Sequence, residues 1–158
     1  MLEELNSPRG RRAVLLLLPL IALLITSTTR ADDDLNLAAL RGKVVYLDFW
    51  ASWCAPCRKS FPWMDSMQRT YAGRGLVVVA VNLDEERAPA EEFLREFNPG
   101  FRVVFDSKGT LAESFKVSGM PSSFLVDRHG TVRYRHVGFR DESPATLANE
   151  LSSLLAEQ

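Results

Sequence analysis

The strongest constraint on the fold is an apolar run, Val44 to Trp50, that leads directly into a Cys-x-x-Cys pair. Such a β-branched and aromatic run is typical of a strand buried on both faces, and the residues after the second cysteine have helical periodicity. Cys54 and Cys57 therefore lie at a strand-to-helix turn. Free backbone N–H groups and the positive end of the helix dipole stabilise a thiolate at such a turn. We interpret the pair as a dithiol–disulfide redox site.

From Leu35 onward the pattern alternates between strand and helix, which predicts an α/β fold with a mixed central sheet. The last two strands flank a turn at 127–130 and form a predicted hairpin. Thr110 with Glu113 predicts a capping box at a short helix, and Ser143 before Pro144 predicts the cap of the last helix. The predicted strands are Val44–Trp50, Leu76–Val81, Arg102–Phe105, Ser123–Val126 and Thr131–Val137, and the predicted helices follow Cys57, Pro89, Thr110 and Ser143.

Composition narrows the function further. The chain has 158 residues and a formal charge of −1, which suits one globular domain and gives no basic footprint for nucleic acid. Its two cysteines cannot build the dense disulfide framework of a small secreted domain. They can form one working pair.

Residues 1–31 have the features of a targeting segment. Arg9, Arg11 and Arg12 precede the apolar run Ala13–Ile25, and a tail of small residues follows. A cleaved signal peptide and a retained membrane anchor both fit, because the uncharged stretch reaches the lower end of the range of about 17 to 25 residues that spans a bilayer. Either alternative places the domain at 32–158 outside the cytoplasm, in the periplasm or an equivalent compartment.

Trp53-Cys54-Ala55-Pro56-Cys57, with a proline ahead of a strand at Met120-Pro121, resembles the thioredoxin superfamily. The long segment between Asp84 and Met120, with room for an extra helix and strand, resembles its TlpA, ResA and DsbE branch. This resemblance covers about residues 35–156. It implies a thioredoxin-like fold with an inserted helix–strand element.

The resemblance also implies roles for the site residues. Cys54, expected to be the more exposed cysteine, would attack a client disulfide, and Cys57 would resolve the mixed disulfide. Trp53 would pack beside the sulfur atoms, and Pro56 would permit the tight turn. Pro121 would be a cis-proline, and the backbone of Met120 would pair with an extended strand of the client.

Asp48 is an acidic residue within an otherwise apolar strand. Burial should raise its pKa, so a functional reason for the residue is favoured. By resemblance it matches the buried acid of thioredoxin, which takes the proton of the resolving cysteine. Two positions depart from related patterns: Ala80 stands where thioredoxin has a lysine, and Ser60 stands where many ResA-like proteins have a glutamate.

A metal site is not expected, because structural zinc needs four ligands and the two histidines have no paired-ligand spacing. The expected cofactor is none beyond the redox-active disulfide. Two other functions stay open: a binding or assembly module with a structural disulfide, and a peroxidase. The residues before Cys54 do not fit the peroxidase pattern Pro-x3-Thr-x2-Cys.

The sequence thus predicts an extracytoplasmic thiol–disulfide oxidoreductase. The Ala-Pro dipeptide between the cysteines lacks the histidine of strongly oxidising sites, which favours reduction of client disulfides. Expected partners are thiols or disulfides of exported proteins, with apocytochrome c among the plausible clients. Electrons would come from a membrane donor of the DsbD or CcdA type.

Overall fold

The computed structural model describes residues 35–157, which form a central sheet covered by helices. Short 3₁₀ turns lie at Leu37–Leu40 and Ala72–Arg74. The strands are β1 (Val44–Trp50), β2 (Leu76–Asn82), β3 (Arg102–Phe105), β4 (Ser122–Val126) and β5 (Val132–Val137). The helices are α1 (Ala55–Tyr71), α2 (Arg87–Phe97), α3 (Thr110–Ser114) and α4 (Ser143–Ala156).

Strand β1 is the centre of the sheet, whose order is β3-β2-β1-β4-β5. It pairs in parallel with β2 and antiparallel with β4, and every residue of β1 is buried. This burial explains why the β1 sequence is apolar on both faces. Because β2 and β3 are parallel and β4 and β5 antiparallel, the sheet is mixed, as predicted.

Alternate residues of β1 point to opposite faces, and each face has its own core. On one face Tyr46 and Trp50 pack with Phe61 of α1, Phe93 of α2 and Leu151 of α4. An aromatic group lies at its centre, with Trp50 and Phe61 ring centroids 4.7 Å apart. The other face is covered by α3 and the first 3₁₀ turn. The site therefore belongs to the face covered by α1, α2 and α4.

Both predicted helix caps are wrong. Gly109, at φ 69°, is the N-cap of α3, and Thr110 is the first helical residue and makes no capping hydrogen bond. Glu142 is the N-cap of α4, and the hydroxyl of Ser143 instead accepts a hydrogen bond from the N–H of Arg140 at 2.8 Å. Glycine adopts positive φ without steric cost, so the chain can enter α3 one residue earlier than a side-chain cap would allow.

Candidate redox site

The two cysteines are joined by a disulfide at the N-terminus of α1, with Cα atoms 5.3 Å apart. Cys54 is the N-cap of the helix, and its Sγ accepts a hydrogen bond from the backbone N–H of Cys57 at 3.3 Å. Pro56 occupies the first turn, where the missing N–H costs nothing. The same N–H and the helix dipole would stabilise negative charge on Cys54 once the disulfide opens.

In this oxidised state Cys54 is slightly more exposed than Cys57, as expected. Cys54 is 4% exposed and Cys57 is fully buried. The order agrees with attack by Cys54 and resolution by Cys57. The roles themselves stay a prediction.

A polar network that the sequence did not predict supports the loop before the cysteines. The carboxylate of Asp84 accepts hydrogen bonds from the backbone N–H and the hydroxyl of Ser52, at 2.9 and 3.0 Å. The amide of Asn82 donates to the same carboxylate at 2.7 Å. This network ties the end of β2 to the loop that carries Cys54. The only sequence signal is the change from apolar to polar residues where β2 ends.

Trp53 lies largely in solvent, with 71% of its surface exposed. It lines a groove together with Ser52, Leu83 and Pro89. An exposed indole is a large apolar surface of the kind that is enriched in protein interfaces. Its packing beside the sulfur atoms stays a prediction.

The peptide bond between Met120 and Pro121 is cis. Pro121 is buried and directly precedes β4, whereas Met120 is half-buried and packs against the core on the α1 face. Met120 is thus on the face that carries the cysteines. Pairing of the Met120 backbone with a client strand stays a prediction.

Asp48 lies in the middle of β1 with 1% of its surface exposed. Neither carboxylate oxygen has a hydrogen-bond partner in the described structure. Burial raises the pKa of this carboxyl well above its ordinary value. Asp48 points to the same face as Tyr46 and Trp50, the face against which Cys57 packs.

The two positions that depart from related patterns can now be placed. Ala80 lies directly opposite Asp48 in β2, so no cation faces the carboxyl from that strand. Ser60 is buried, and its hydroxyl donates to the carbonyl of Cys57 at 3.1 Å. Arg58 pairs with Glu96 and lies over the ring of Phe97. Its guanidinium is therefore engaged with α2.

Three predictions concern parts of the chain other than the redox site: the targeting segment, a membrane anchor and the absence of a metal site. The targeting segment at 1–31 lies outside the described residues. Between 35 and 157, no helix is long and apolar enough to span a bilayer. Within the same range, no group of three or more His, Cys, Asp or Glu side chains could hold a metal ion.

A mixed sheet, a disulfide at the start of a helix and a cis-proline ahead of a neighbouring strand define a thioredoxin-like protein. The chain belongs to the Redoxin family, whose model matches residues 21–151. It is 35% identical over 98 residues to the thiol-disulfide oxidoreductase ResA of Bacillus subtilis, covering 62% of this chain and 55% of that protein. It is 32% identical over 111 residues to ResA of Bacillus cereus, covering 70% of this chain and 64% of that protein. The chain thus spans less than two thirds of the length of these relatives.

Solved structures of thiol–disulfide exchange proteins have the same fold as this chain. A Chlorobium tepidum protein assigned as the thiol:disulfide interchange protein DsbE superposes with a TM-score of 0.76 at 48% identity, covering 77% of this chain and 86% of that one. StoA of Bacillus subtilis superposes with a TM-score of 0.60 at 28% identity, covering 69% of this chain and 82% of that one. These similarities confirm the predicted thioredoxin-like fold of the TlpA, ResA and DsbE type.

Proposed function

We propose that this chain is an extracytoplasmic thiol–disulfide oxidoreductase that reduces disulfides of exported proteins. The observation that carries the proposal is the Cys54–Cys57 disulfide at the N-terminus of α1, with the Sγ of Cys54 accepting the N–H of Cys57. That arrangement stabilises a thiolate at Cys54, the position from which attack on a client must occur. Family membership and the ResA and DsbE relatives support the same chemistry.

The reaction has two steps with a mixed disulfide between them. The Cys54 thiolate attacks one sulfur of the client disulfide, forming a new S–S bond and releasing the other client sulfur as a thiolate. Asp48 then takes the proton of Cys57, and the Cys57 thiolate attacks the Sγ of Cys54. The client leaves with two reduced sulfurs, and the Cys54–Cys57 pair carries the disulfide. No cofactor beyond this pair takes part.

The surroundings of the pair suit a client chain. Trp53 supplies an exposed aromatic surface on one side, and Met120 before the cis-proline supplies a backbone for an extended client strand on the other. The pattern at residues 1–31 supports export of the domain, with or without a retained anchor. One client class that fits is apocytochrome c, whose heme-attachment cysteines must be reduced. A membrane protein of the DsbD or CcdA type would re-reduce the pair.

The direction of electron flow is tested by the reduction potential of the full chain, equilibrated in glutathione buffers and quenched with acid. A value near thioredoxin's about −270 mV supports a reductase, and a value near DsbA's about −120 mV makes the protein an oxidant. If no reversible couple exists, the disulfide is structural and the chain is a binding module.

The two-step mechanism is tested with a trapping variant. Cys57→Ser should accumulate a mixed disulfide between Cys54 and a client peptide, because the resolving thiol is absent. Cys54→Ser is the matched control and should trap nothing. Equal trapping by both variants contradicts the assigned roles.

The role of Asp48 is tested by Asp48→Asn, which keeps the shape of the side chain but cannot accept the proton. Resolution of the mixed disulfide at neutral pH should slow by up to about 10²-fold. This is the lower end of the range that general acid–base catalysis contributes. An unchanged rate would remove the proton-transfer role and leave Cys54 and Cys57 to act without it.

A further inference from the structure

A groove beside the redox pair has an aromatic side and an acidic side. Its volume is about 500 Å³, and it is lined by Trp53, the residue directly before Cys54. The indole of Trp53 is largely in solvent, with 71% of the residue exposed. The charged side chains that line the groove are Asp84, Glu85 and Glu86, and all three are acidic. The groove therefore presents an open aromatic ring and negative charge next to the disulfide.

The carboxylates of Glu85 and Glu86 are not used by the fold. Both side chains are exposed, and within the described part of the chain neither has a hydrogen-bond or ion-pair partner. Glu86 is the N-cap residue of α2, yet its side chain makes no capping hydrogen bond. Asp84 differs, because its carboxylate is buried and accepts hydrogen bonds from Ser52 and Asn82. Glu85 and Glu86 are thus the carboxylates that a bound molecule can reach.

The loop that carries these glutamates is tied to the strand and loop before the cysteines. The N–H of Leu83 donates to the carbonyl oxygen of Trp50 at 2.9 Å. The carboxylate of Asp84 accepts the backbone N–H of Ser52, also at 2.9 Å. A backbone that is ordered before binding loses less conformational entropy when a partner binds. The acidic side of the groove is therefore in place beside Cys54 before a client arrives.

The basic residues closest in sequence leave the groove with negative charge. Arg58 and Arg87 are both ion-paired with glutamates of α2. Lys59 is exposed on α1 and is not a lining residue of the groove. Basic side chains contribute further along, where Arg87 and Lys108 line the neighbouring pocket. The negative charge is therefore concentrated at the end of the groove that is next to Trp53.

Both sides of the groove attract the same chemical group. A lysine or arginine side chain is attracted to the face of an aromatic ring, and tryptophan is the best partner for this contact. The same cation is attracted by carboxylates, whereas an acidic side chain is repelled by them. The apolar stem of a basic side chain can also pack on the indole while its charge stays near the carboxylates. The groove is therefore complementary to a basic side chain.

We propose that Trp53, Glu85 and Glu86 form a subsite for a basic side chain that flanks the reacting cysteine of the client. Because Trp53 directly precedes Cys54 and an extended chain advances about 3.3 Å per residue, this basic residue lies about one to three positions from the client cysteine. The subsite positions the client, and the disulfide exchange at Cys54 is unchanged. This inference rests on the proposed function and adds a substrate class to it, namely disulfides with a basic flank.

The test measures the second-order rate constant with which the reduced full chain reacts with disulfides of different charge. Cystamine is cationic, hydroxyethyl disulfide is neutral and dithiodipropionate is anionic. Three disulfide peptides, which differ only by Lys, Gln or Glu beside the cysteine, extend the series to a client-like chain. The variants are Glu85→Gln, Glu86→Gln and Trp53→Leu. Glu113→Gln, at an exposed glutamate of α3, is the matched control because it changes the net charge by the same amount.

The ratio of the variant rate to the original rate is compared across the series, because the intrinsic reactivity of each disulfide cancels in that ratio. Glu85→Gln and Glu86→Gln should each slow cystamine and the Lys peptide by about 1.4- to 5-fold, the range for one exposed ion pair. They should speed dithiodipropionate and the Glu peptide by a similar factor and leave hydroxyethyl disulfide unchanged. Trp53→Leu should slow the Lys peptide more than the Gln peptide. Glu113→Gln should leave every rate unchanged.

Two outcomes overturn the subsite. Equal ratios for all the disulfides show that the glutamates alter only the reactivity of Cys54. Equal effects of Glu113→Gln and the groove variants show that the total charge of the protein is the cause.

A second measurement separates the subsite from the proposed function. A cysteine-free Lys peptide is titrated against the oxidised full chain, with tryptophan fluorescence as the readout. Saturable binding that Glu85→Gln or Glu86→Gln weakens supports the subsite even if the chain shows no reversible Cys54–Cys57 couple and the proposed function fails. No binding to the oxidised chain, together with equal rates for the Lys and Glu peptides, overturns the subsite while the redox function stands.

Discussion

Replacing Asp48 by asparagine should stabilise the fold, and increasingly so as the pH rises. The carboxyl is buried, and no side chain or backbone group donates a hydrogen bond to either oxygen. In the unfolded chain an aspartate ionises near its ordinary pKa of about 3.9. In the folded protein burial raises that pKa well above the ordinary value. Between the two values the folded protein holds a proton that the unfolded chain has released.

The sign and size of the effect follow from this difference. When the folded state binds more protons than the unfolded state, the free energy of unfolding falls as the pH rises, by up to about 1.4 kcal/mol per pH unit for one group. In the original chain, the stability that comes from keeping Asp48 protonated is fully present below about pH 4, where both states are protonated. This contribution is lost progressively as the pH rises toward the raised pKa of Asp48. The asparagine side chain has no such loss, because it stays neutral in both states.

The assay is urea unfolding of the oxidised full chain at several pH values between 4 and 9. The difference between Asp48→Asn and the original chain should be small near pH 4 and grow with a slope of up to about 1.4 kcal/mol per pH unit. Asp141→Asn, at an exposed carboxylate, is the matched control and should give a flat difference. A flat difference for Asp48→Asn would refute the reasoning, because it would mean that the carboxyl is ionised in the fold at little cost.

Three further predictions concern packing, the loop support and the hairpin turn. Phe61→Ala should lower the free energy of unfolding by about 3–5 kcal/mol in urea unfolding, because the ring is 1% exposed and contacts several other aromatic rings. Asp84→Ala leaves the donors of Ser52 without their acceptor, so it should cost about 1–3 kcal/mol and raise amide hydrogen exchange in the loop before Cys54. Asp127 accepts a hydrogen bond from the N–H of Thr131, and this bond lowers the pKa of the Asp127 carboxyl. The ionised carboxylate therefore stabilises the fold above about pH 4, and this stabilisation is lost as the pH falls through the lowered pKa. Asp127→Asn should therefore reduce stability at neutral pH and weaken the loss of stability on acidification, measured by thermal melting.

Features fixed by short stretches of sequence were predictable. Strand β1 has the bounds that its apolar run predicts, Val44–Trp50, and the cysteine turn follows it as expected. Asp48 could be singled out because a carboxylate in such a strand has no solvent-facing side to occupy. The hairpin of β4 and β5 also forms around the predicted turn, and its strands differ from the prediction by one residue each.

Features that depend on distant partners were not predictable. Ser52 and Asp84 are 32 residues apart, and their contact exists only because β1 and β2 are adjacent. His136 could be interpreted from sequence only as a strand residue, because its partner Glu150 comes from a helix whose position over the sheet is not encoded locally. The predicted cap of α3 was wrong because Gly109, at positive φ, takes the N-cap position, and the N–H of Ala112 donates to the carboxylate of Asp106 at 2.9 Å.

The electrostatics of the buried carboxyls explain why Asp48 suits proton transfer. Among residues 35–157, Asp84, Asp106 and Asp127 are also buried, but each accepts hydrogen bonds from backbone N–H groups, which favour the ionised form. Asp48 has no such donor, and Ala80 places no cation opposite it. Burial is then the cause that raises its pKa, with nothing to oppose it. A carboxyl in that position holds a proton at higher pH than an ordinary aspartate, which is the property that a proton acceptor for a thiol requires.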